Sequence, residues 1–290
     1  MAVLISRHID WLSLTFPGGE TPSEIWPHDE FVYQGKGLHG YARMDKSAFY
    51  GVLAQWQGGE IMGTHMVFSG DCLAQIRETL QRADLPIFAT VHTHLARASR
   101  VDLAINIIGG ILTPGIAYEA LKAKKLKTRA HTWRFVQGNT EGVSGDTLYL
   151  GARESETFVR IYDKAAERGI KDGPSHLRLE AELKGMKARS AMETAMKHGV
   201  DATTVGVFEQ LIQWDVPEYR LALDAPGVAL PELPRTESNT EKWLLTQCIP
   251  ALAKLVRLKP TFQGKFADAL STELRRLDAI DNEGGKHDNA

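Results

Sequence analysis

The sequence predicts an α+β fold: an antiparallel sheet with interspersed helices, followed by a C-terminal helical segment. Three observations predict it. Short runs in which apolar and polar residues alternate, the mark of half-buried strands, recur along the chain, as in RVDLAINI and HLRLEAEL. Stretches with helical spacing lie between them, such as CLAQIRETLQRA. Only ARESE separates TLYLG from TFVRIYDK, which suits a hairpin, because a parallel crossover needs a dozen or more residues.

Each element has a local reason. IDWLSLTF and MVFSG are β-type runs separated by glycine-rich turns at Gly35–Gly40 and Gly58–Gly59. Ser69 or Asp71 caps the helix that follows. RVDLAINI is a strand, and Thr113-Pro114 then opens a helix, with Thr as cap and Pro at the first helical position. HTWRFV, TLYLG and TFVRIYDK are three further strands; a loop at Gly169–Pro174 precedes HLRLEAEL, and a helix begins near Met186. DAPGVALPELPRTES, with three prolines, reads as a linker. The expected organisation is a domain over 1–225, a Pro-rich linker over 226–239, helices over 240–280 broken at Pro250 and Pro260, and a disordered tail over 281–290. Trp243, at helical spacing with Leu244 and Leu245, is expected in a core. No internal repeat and no low-complexity tract is visible.

The 290 residues, 43% hydrophobic and 24% charged, are enough for a substantial core. No apolar run approaches the roughly 20 residues of a membrane helix, so no membrane partner is expected. Charge inside MAVLISRHIDWLSLTF and the lack of a small-residue cleavage site argue against a signal peptide. Cys72 and Cys248 read as reduced cysteines of a cytoplasmic protein. The net charge of −2 does not advertise a nucleic-acid binder, but distribution matters more than the total. Between Ala120 and Gln137 stand Lys122, Lys124, Lys125, Lys127, Arg129 and Arg134 with no acidic residue. On the predicted helix this run is either a solvated face or a phosphate track.

Residue parity assigns strand faces. Val101, Leu103, Ile105 and Ile107 share one face of their strand; Asp102, Ala104 and Asn106 share the other. Phe158, Arg160 and Tyr162 face away from Val159 and Ile161. Arg178, Glu180 and Glu182 face away from Leu177, Leu179, Ala181 and Leu183. If the three strands are neighbours, one face pools a tyrosine, two arginines and three carboxylates. Carboxylates hold Mg²⁺ or Mn²⁺, and such an ion polarises a phosphodiester. A tyrosine with a pKa near ~10 needs activation, which Arg, Lys or metal would give. Lys164 shares the Tyr162 face if the strand stays extended. His92-Thr93-His94 fits a loop or strand edge better than a metal pair, and these histidines stay outside the metal set.

The same segments resemble the rolling-circle replication initiation factor family: initiators of plasmids, related phage proteins, and relaxases of some integrative elements. HIDWLSLTF with GLHGY, HMVFSGDCLAQI, SRVDLAINI, TLYLGARESETFVRIYDKAAE, HLRLEAELKG and TEKWLLTQCIPAL carry the resemblance, in order along the chain. It implies an antiparallel, five-stranded, nuclease-type sheet and a nicking and joining activity dependent on Mg²⁺ or Mn²⁺. Tyr162 falls on the nucleophile, Asp102 on the strand aspartate, and Arg178 and Glu180 on the Arg-x-Glu segment; strand parity adds Arg160 as a second catalytic arginine and Glu182 as a third metal carboxylate. Asn106 stands where an acidic residue is common, which shifts the metal toward Glu180, Glu182 or Asp163. Within this resemblance Lys122, Lys124, Lys125, Lys127, Arg129 and Lys164 would track DNA phosphates. The implied partners are origin DNA, single-stranded at the nick with duplex or hairpin nearby, a host helicase and polymerase, and a second copy in a dimer. The alternatives from other classes are a non-catalytic DNA-binding replication regulator and a metal-dependent endonuclease without a covalent intermediate.

Overall fold

The computed structural model describes residues 3–59, 62–81, 84–138, 145–231 and 249–284. Contacts divide the chain into two compact units, Met1–Glu232 and Leu233–Ala290.

The first unit is built around a sheet of ten antiparallel strands. Its first half runs β1 (Leu4–Phe16), α1 (Pro22–Ile25), β2 (Phe31–Gly35), β3 (Arg43–Ser47), β4 (Leu53–Trp56), β5 (Thr64–Phe68), α2 (Gly70–Leu80) and α3 (Leu85–Thr93). The second runs β6 (Arg97–Ile108), α4 (Pro114–Lys122), β7 (Leu126–Thr128), β8 (Trp133–Val136), β9 (Thr147–Leu150), β10 (Thr157–Asp163), α5 (Lys164–Glu167), β11 (His176–Lys184), α6 (Gly185–His198), α7 (Val200–Leu211), β12 (Ile212–Trp214) and α8 (Pro217–Ala222). The strand order is β2-β3-β4-β5-β1-β6-β11-β10-β9-β8, and β7 pairs with β12 apart.

This corrects the expected five strands to ten, and the correction has a simple cause. Each half is a five-stranded sheet with the same topology: a long first strand, a short helix, a four-stranded meander that returns beside the first strand, then two helices. The two long strands, β1 and β6, pair antiparallel and fuse the halves into one sheet. The duplication leaves no sequence period because many residue combinations satisfy the same alternation of apolar and polar positions.

One face of the sheet is apolar and carries the core. Leu12, Leu14, Phe16, Val101, Leu103, Ile105, Ile107, Ile161 and Leu179 pack there with Leu73 and Ile76 of α2, Ala188, Ala191 and Met192 of α6, and Val207 and Phe208 of α7. Ser69 accepts from the Cys72 N–H to cap α2, and Thr113 accepts from the Ile116 N–H to cap α4. Along β1 the register with β6 shifts between Ile9 and Trp11, leaving Asp10 as the unpaired extra residue of a β-bulge. The shift inverts parity, so Ile9 and Leu12 both enter the core while His8 and Trp11 both face the other way.

Two expectations are corrected locally. The basic run is not one helix: α4 ends at Lys122, and Lys124 is left-handed at φ 58°. The Lys125 N–H closes back on the Ala120 carbonyl at 2.8 Å, a Schellman-type stop. The chain then turns into β7, which buries Leu126 and leaves Lys127 exposed. His92 and Thr93 end α3 and His94 caps it, so the two imidazoles share no strand face.

In the second unit, α9 (Ile249–Leu258) carries Pro250 in its first turn, and Pro260 lies in the gap before α10 (Phe262–Gly284). Helix α10 continues four residues into the stretch expected as a tail. Trp243, Cys248 and most of the expected linker lie outside the described residues. Among the described residues, no helix is long and apolar enough to cross a membrane.

One glycine shows packing overruling propensity. In an exposed helix interior, Gly to Ala gains up to about 1 kcal/mol. At Gly206 in α7, however, an added Cβ would stand 2.1 Å from the Val228 carbonyl oxygen, a backbone atom. Gly206→Ala is expected to destabilise by about 1–3 kcal/mol, read as a lower urea midpoint; an unchanged or raised midpoint would contradict the close approach.

Candidate active site

The sheet's second face carries the predicted cluster. Strands β6, β11 and β10 are neighbours in that order, so register alone aligns their polar residues in rows. Trp11, Asp102, Glu182 and Phe158 form one row across β1, β6, β11 and β10. His8, Ala104, Glu180, Arg160, Tyr149 and Arg134 form the next, reaching edge strand β8. Ser6, Asn106, Arg178, Tyr162, Thr147 and Val136 form the third.

The charged groups in these rows are deeply placed: Asp102, Glu180, Glu182 and Arg178 are all under 5% exposed. Charges so removed from water must be paired. Arg100 grips Asp102 through two bonds of 2.8 and 2.5 Å and reaches Glu182 at 2.9 Å. Lys184 holds the other oxygen of Glu182 at 2.7 Å. Arg160 bonds Glu180 and stands 3.7 Å from Asp102. The Tyr162 hydroxyl donates to the second Glu180 oxygen at 3.0 Å.

Arg178 is fixed from the opposite side. Its Nη1 donates to Asp10 at 2.7 Å and its Nε to Asn106 at 2.8 Å. The Asn106 Oδ1 also accepts from His176 at 2.9 Å, while its Nδ2 donates to Ser6 at 2.9 Å. A carboxylate at 106 could not make that last donation. Burial alone would raise the Asp10 pKa, but the His8 hydrogen bond and the Arg178 charge outweigh it and hold the carboxyl well below the usual range.

All of the predicted Tyr162, Arg160, Arg178, Asp102, Glu180 and Glu182 are therefore brought together. Others are not. Asp163 lines the cleft beside Tyr162, but its carboxylate caps α5, accepting from the Ala166 N–H at 3.0 Å. Lys164 already belongs to α5, although its ammonium stands 5.6 Å from the centre of the Tyr162 ring. Lys122 pairs with Glu119 at 3.1 Å. Lys122 ends α4, and Lys124, Lys125, Lys127 and Arg129 follow it; Ala117 and Leu121 of this helix pack on the apolar side of the sheet. These cations therefore do not line the Tyr162 cluster. Asp10, Arg100, His8, His176 and Lys184 were missed. Arg100 and Lys184 had a signal, each two residues from a candidate carboxylate on its own strand; Asp10 had none, because a bulge places it.

The electrostatics correct one expectation about the tyrosine. Burial and the neighbouring Glu180 charge raise its pKa, and Arg178 does not offset them. The resting group is a neutral phenol hydrogen-bonded to the Glu180 side chain. Asp102 is likewise pushed up by burial, against the pull of Arg100 and with the help of the Glu180 and Glu182 charges. The three carboxylates are hard oxygen donors on adjoining strand positions, the chemistry Mg²⁺ or Mn²⁺ takes. Among the described residues no three His, Cys, Asp or Glu side chains are grouped as ligands of one ion; the carboxylate oxygens face arginines, a lysine and the phenol instead. Beside Tyr162 opens a cleft of about 230 Å³ lined by Thr147, Tyr149, Arg160 and Glu167.

Burial and then Arg178 carry the His176 pKa down to about 4. Its folded value thus lies below the unfolded value of about 6.5, so the unfolded chain binds protons first as pH falls. The stability His176 contributes is complete above pH 6.5 and is lost toward pH 4. Urea midpoints are expected to fall across that window, and His176→Gln, which can still donate to Asn106, is expected to reduce the slope. An identical slope in the variant would contradict the assignment.

Comparison with known proteins agrees with this geometry. Residues 96–218, from β6 through the start of α8, match the sequence model of the family described as replication initiation factor. Comparison with curated proteins gives no match. Among solved structures the fold matches a rolling circle replication initiator protein from Geobacillus stearothermophilus, with a TM-score of 0.59 and 20% identity, over 82% of this chain and 91% of that one. The half of the sheet that holds Tyr162, Asp102, Arg178 and Glu180 thus matches the replication initiation factor family in sequence, and the fold is that of a rolling circle replication initiator.

Proposed function

We propose that this protein nicks one strand of origin DNA through Tyr162 and later rejoins it. The observation that carries the reading is the Tyr162 hydroxyl donating to Glu180 at 3.0 Å, within the range for a general base acting on its nucleophile.

A buried neutral phenol is a weak nucleophile, and Glu180 is placed to take its proton as attack begins. The Tyr162 oxygen bonds to phosphorus while the bond from phosphorus to the 3′ oxygen breaks. The products are a 5′-phosphotyrosyl end and, once the leaving oxygen takes a proton, a free 3′-OH for a polymerase. Rejoining is the reverse: the 3′-OH attacks the phosphotyrosine and Tyr162 recovers its proton. Arg160, beside Glu180 and at the wall of the cleft, is placed to meet the negative charge that grows on the phosphate. Arg178 acts as a positioning residue, clamped by Asp10 and Asn106 opposite Tyr162. When bound, Mg²⁺ or Mn²⁺ would offset the negative charge of the phosphate, with Asp102 and Glu182 as the carboxylates to hold it and Glu180 kept for the Tyr162 proton.

Labelled single-stranded origin DNA, incubated with the protein and Mn²⁺ and run on a denaturing protein gel, tests this. The label is expected to shift to the protein, and to stay free with EDTA or in Tyr162→Phe. Glu180→Gln is expected to lower the adduct rate by about 10²–10⁴-fold, the contribution of a positioned base. Cleavage without a shift would assign a water-using nuclease, and binding without cleavage would assign a regulator; either result would overturn the covalent mechanism.

A further inference from the structure

Next to the tyrosine cleft lies a second cleft of about 360 Å³, running to the rim of the sheet at edge strand β8. It shares Tyr149 and Arg160 with the first and adds Arg134, Arg153 and Phe158. Tyr149 and Phe158 stand parallel, with ring centres 5.6 Å apart and planes 14° apart. The exposed Arg134 lays its guanidinium over the Tyr149 ring at 5.1 Å. Of the two acidic residues in the lining, Glu182 is already held by Arg100 and Lys184, so guanidinium groups dominate the free charge. Among the described residues the buried Arg160 Nε has no hydrogen-bond partner, so the guanidinium is held through its Nη2 bond to Glu180.

We infer that this rim cleft binds the nucleotide adjoining the scissile phosphate, stacking its base on Tyr149 and holding its backbone phosphate with Arg134. A π-face flanked by arginines is what recognises an unpaired nucleotide: aromatic rings take any base, and guanidinium groups take phosphate. Position supports the assignment. Tyr149 pairs directly with Arg160 and is the diagonal neighbour of Tyr162, a separation of about 7–8 Å, so one nucleotide can bridge the cleft and the nucleophile. The base takes the ring face that the Arg134 guanidinium now covers, and the guanidinium turns to the phosphate. Duplex DNA cannot use this site, because its bases are stacked on each other. The inference rests on the nicking reading only for which phosphate lies beside the bound nucleotide.

Binding of an oligothymidylate of about twelve nucleotides carrying a single 2-aminopurine, measured in EDTA with the full chain, tests the site without turnover. The 2-aminopurine fluorescence is expected to be quenched on binding. Tyr149→Leu is expected to lose most of the quenching and weaken binding roughly 5- to 100-fold, whereas Tyr149→Phe keeps both. Arg134→Ala is expected to keep the quenching but lower the salt dependence of log Kd by about 0.7, the loss of one phosphate contact. Because Tyr149 packs on Phe158, circular dichroism checks that its variants fold; if Tyr149→Leu does not fold, the exposed Arg134 decides the matter. Unchanged quenching and affinity in a folded Tyr149→Leu, or an unchanged salt dependence in Arg134→Ala, would overturn the subsite. Loss of the covalent adduct assignment with these binding results intact would remove the nicking reading and leave the subsite standing.

Discussion

Buried charge has to be paired, and the central strands are arranged to pair it. Asp10, Asp102, Glu180 and Glu182 meet Arg100, Arg160, Arg178 and Lys184 across β1, β6, β11 and β10. Removing one partner would strand a charge in a region with little water, at a cost of several kcal/mol. The network therefore specifies register as strictly as the apolar face does. A one-residue slip of β11 against β6 would turn Arg178, Glu180 and Glu182 into the helix layer and bring Leu177 and Leu179 out. Hydrophobic and ionic demands agree on a single alignment, which is why a face with so many charges can be part of a stable sheet.

Within that network the work is divided. Asp10 and Asn106 hold Arg178 from two directions, and His176 in turn donates to Asn106, so its guanidinium has little freedom left. Arg160 is held from one side by Glu180, with Asp102 at the edge of its reach. The more open arginine borders both clefts, while the clamped one shapes the field around Tyr162. Asn106 suits this arrangement better than an acid would: it accepts from two neighbours and donates to a third.

The two halves of the sheet share topology without sharing chemistry. Where the second half presents Arg160, Tyr162, Arg178 and Glu180, the first presents Leu53, Gln55, His65 and Val67 on the same face. The β1–β6 pairing that joins the halves also brings first-half residues to the site: Asp10, which His8 supports, and Ser6. The family match covers the second half and omits these residues, although Asp10 completes its charge balance.

The alternation in RVDLAINI, FVRIYDK and HLRLEAEL was enough to place Asp102, Arg160, Tyr162, Arg178, Glu180 and Glu182 on common faces, because side-chain parity is a property of the strand itself. Helix starts at Ser69 and Thr113 were legible for the same reason: a cap is a contact over three residues. Tertiary structure decided what depends on partners distant in sequence. It made the strands neighbours, doubled five strands to ten, bent the basic run into a turn and a strand, and set the Tyr162 pKa above its free value because the ring is buried against Glu180. The bulge at Asp10 is the clearest case. Nothing in HIDWLS marks an extra residue; it exists because β1 must match β6 on two successive stretches, and the surplus residue turns its carboxylate to an arginine 168 positions away.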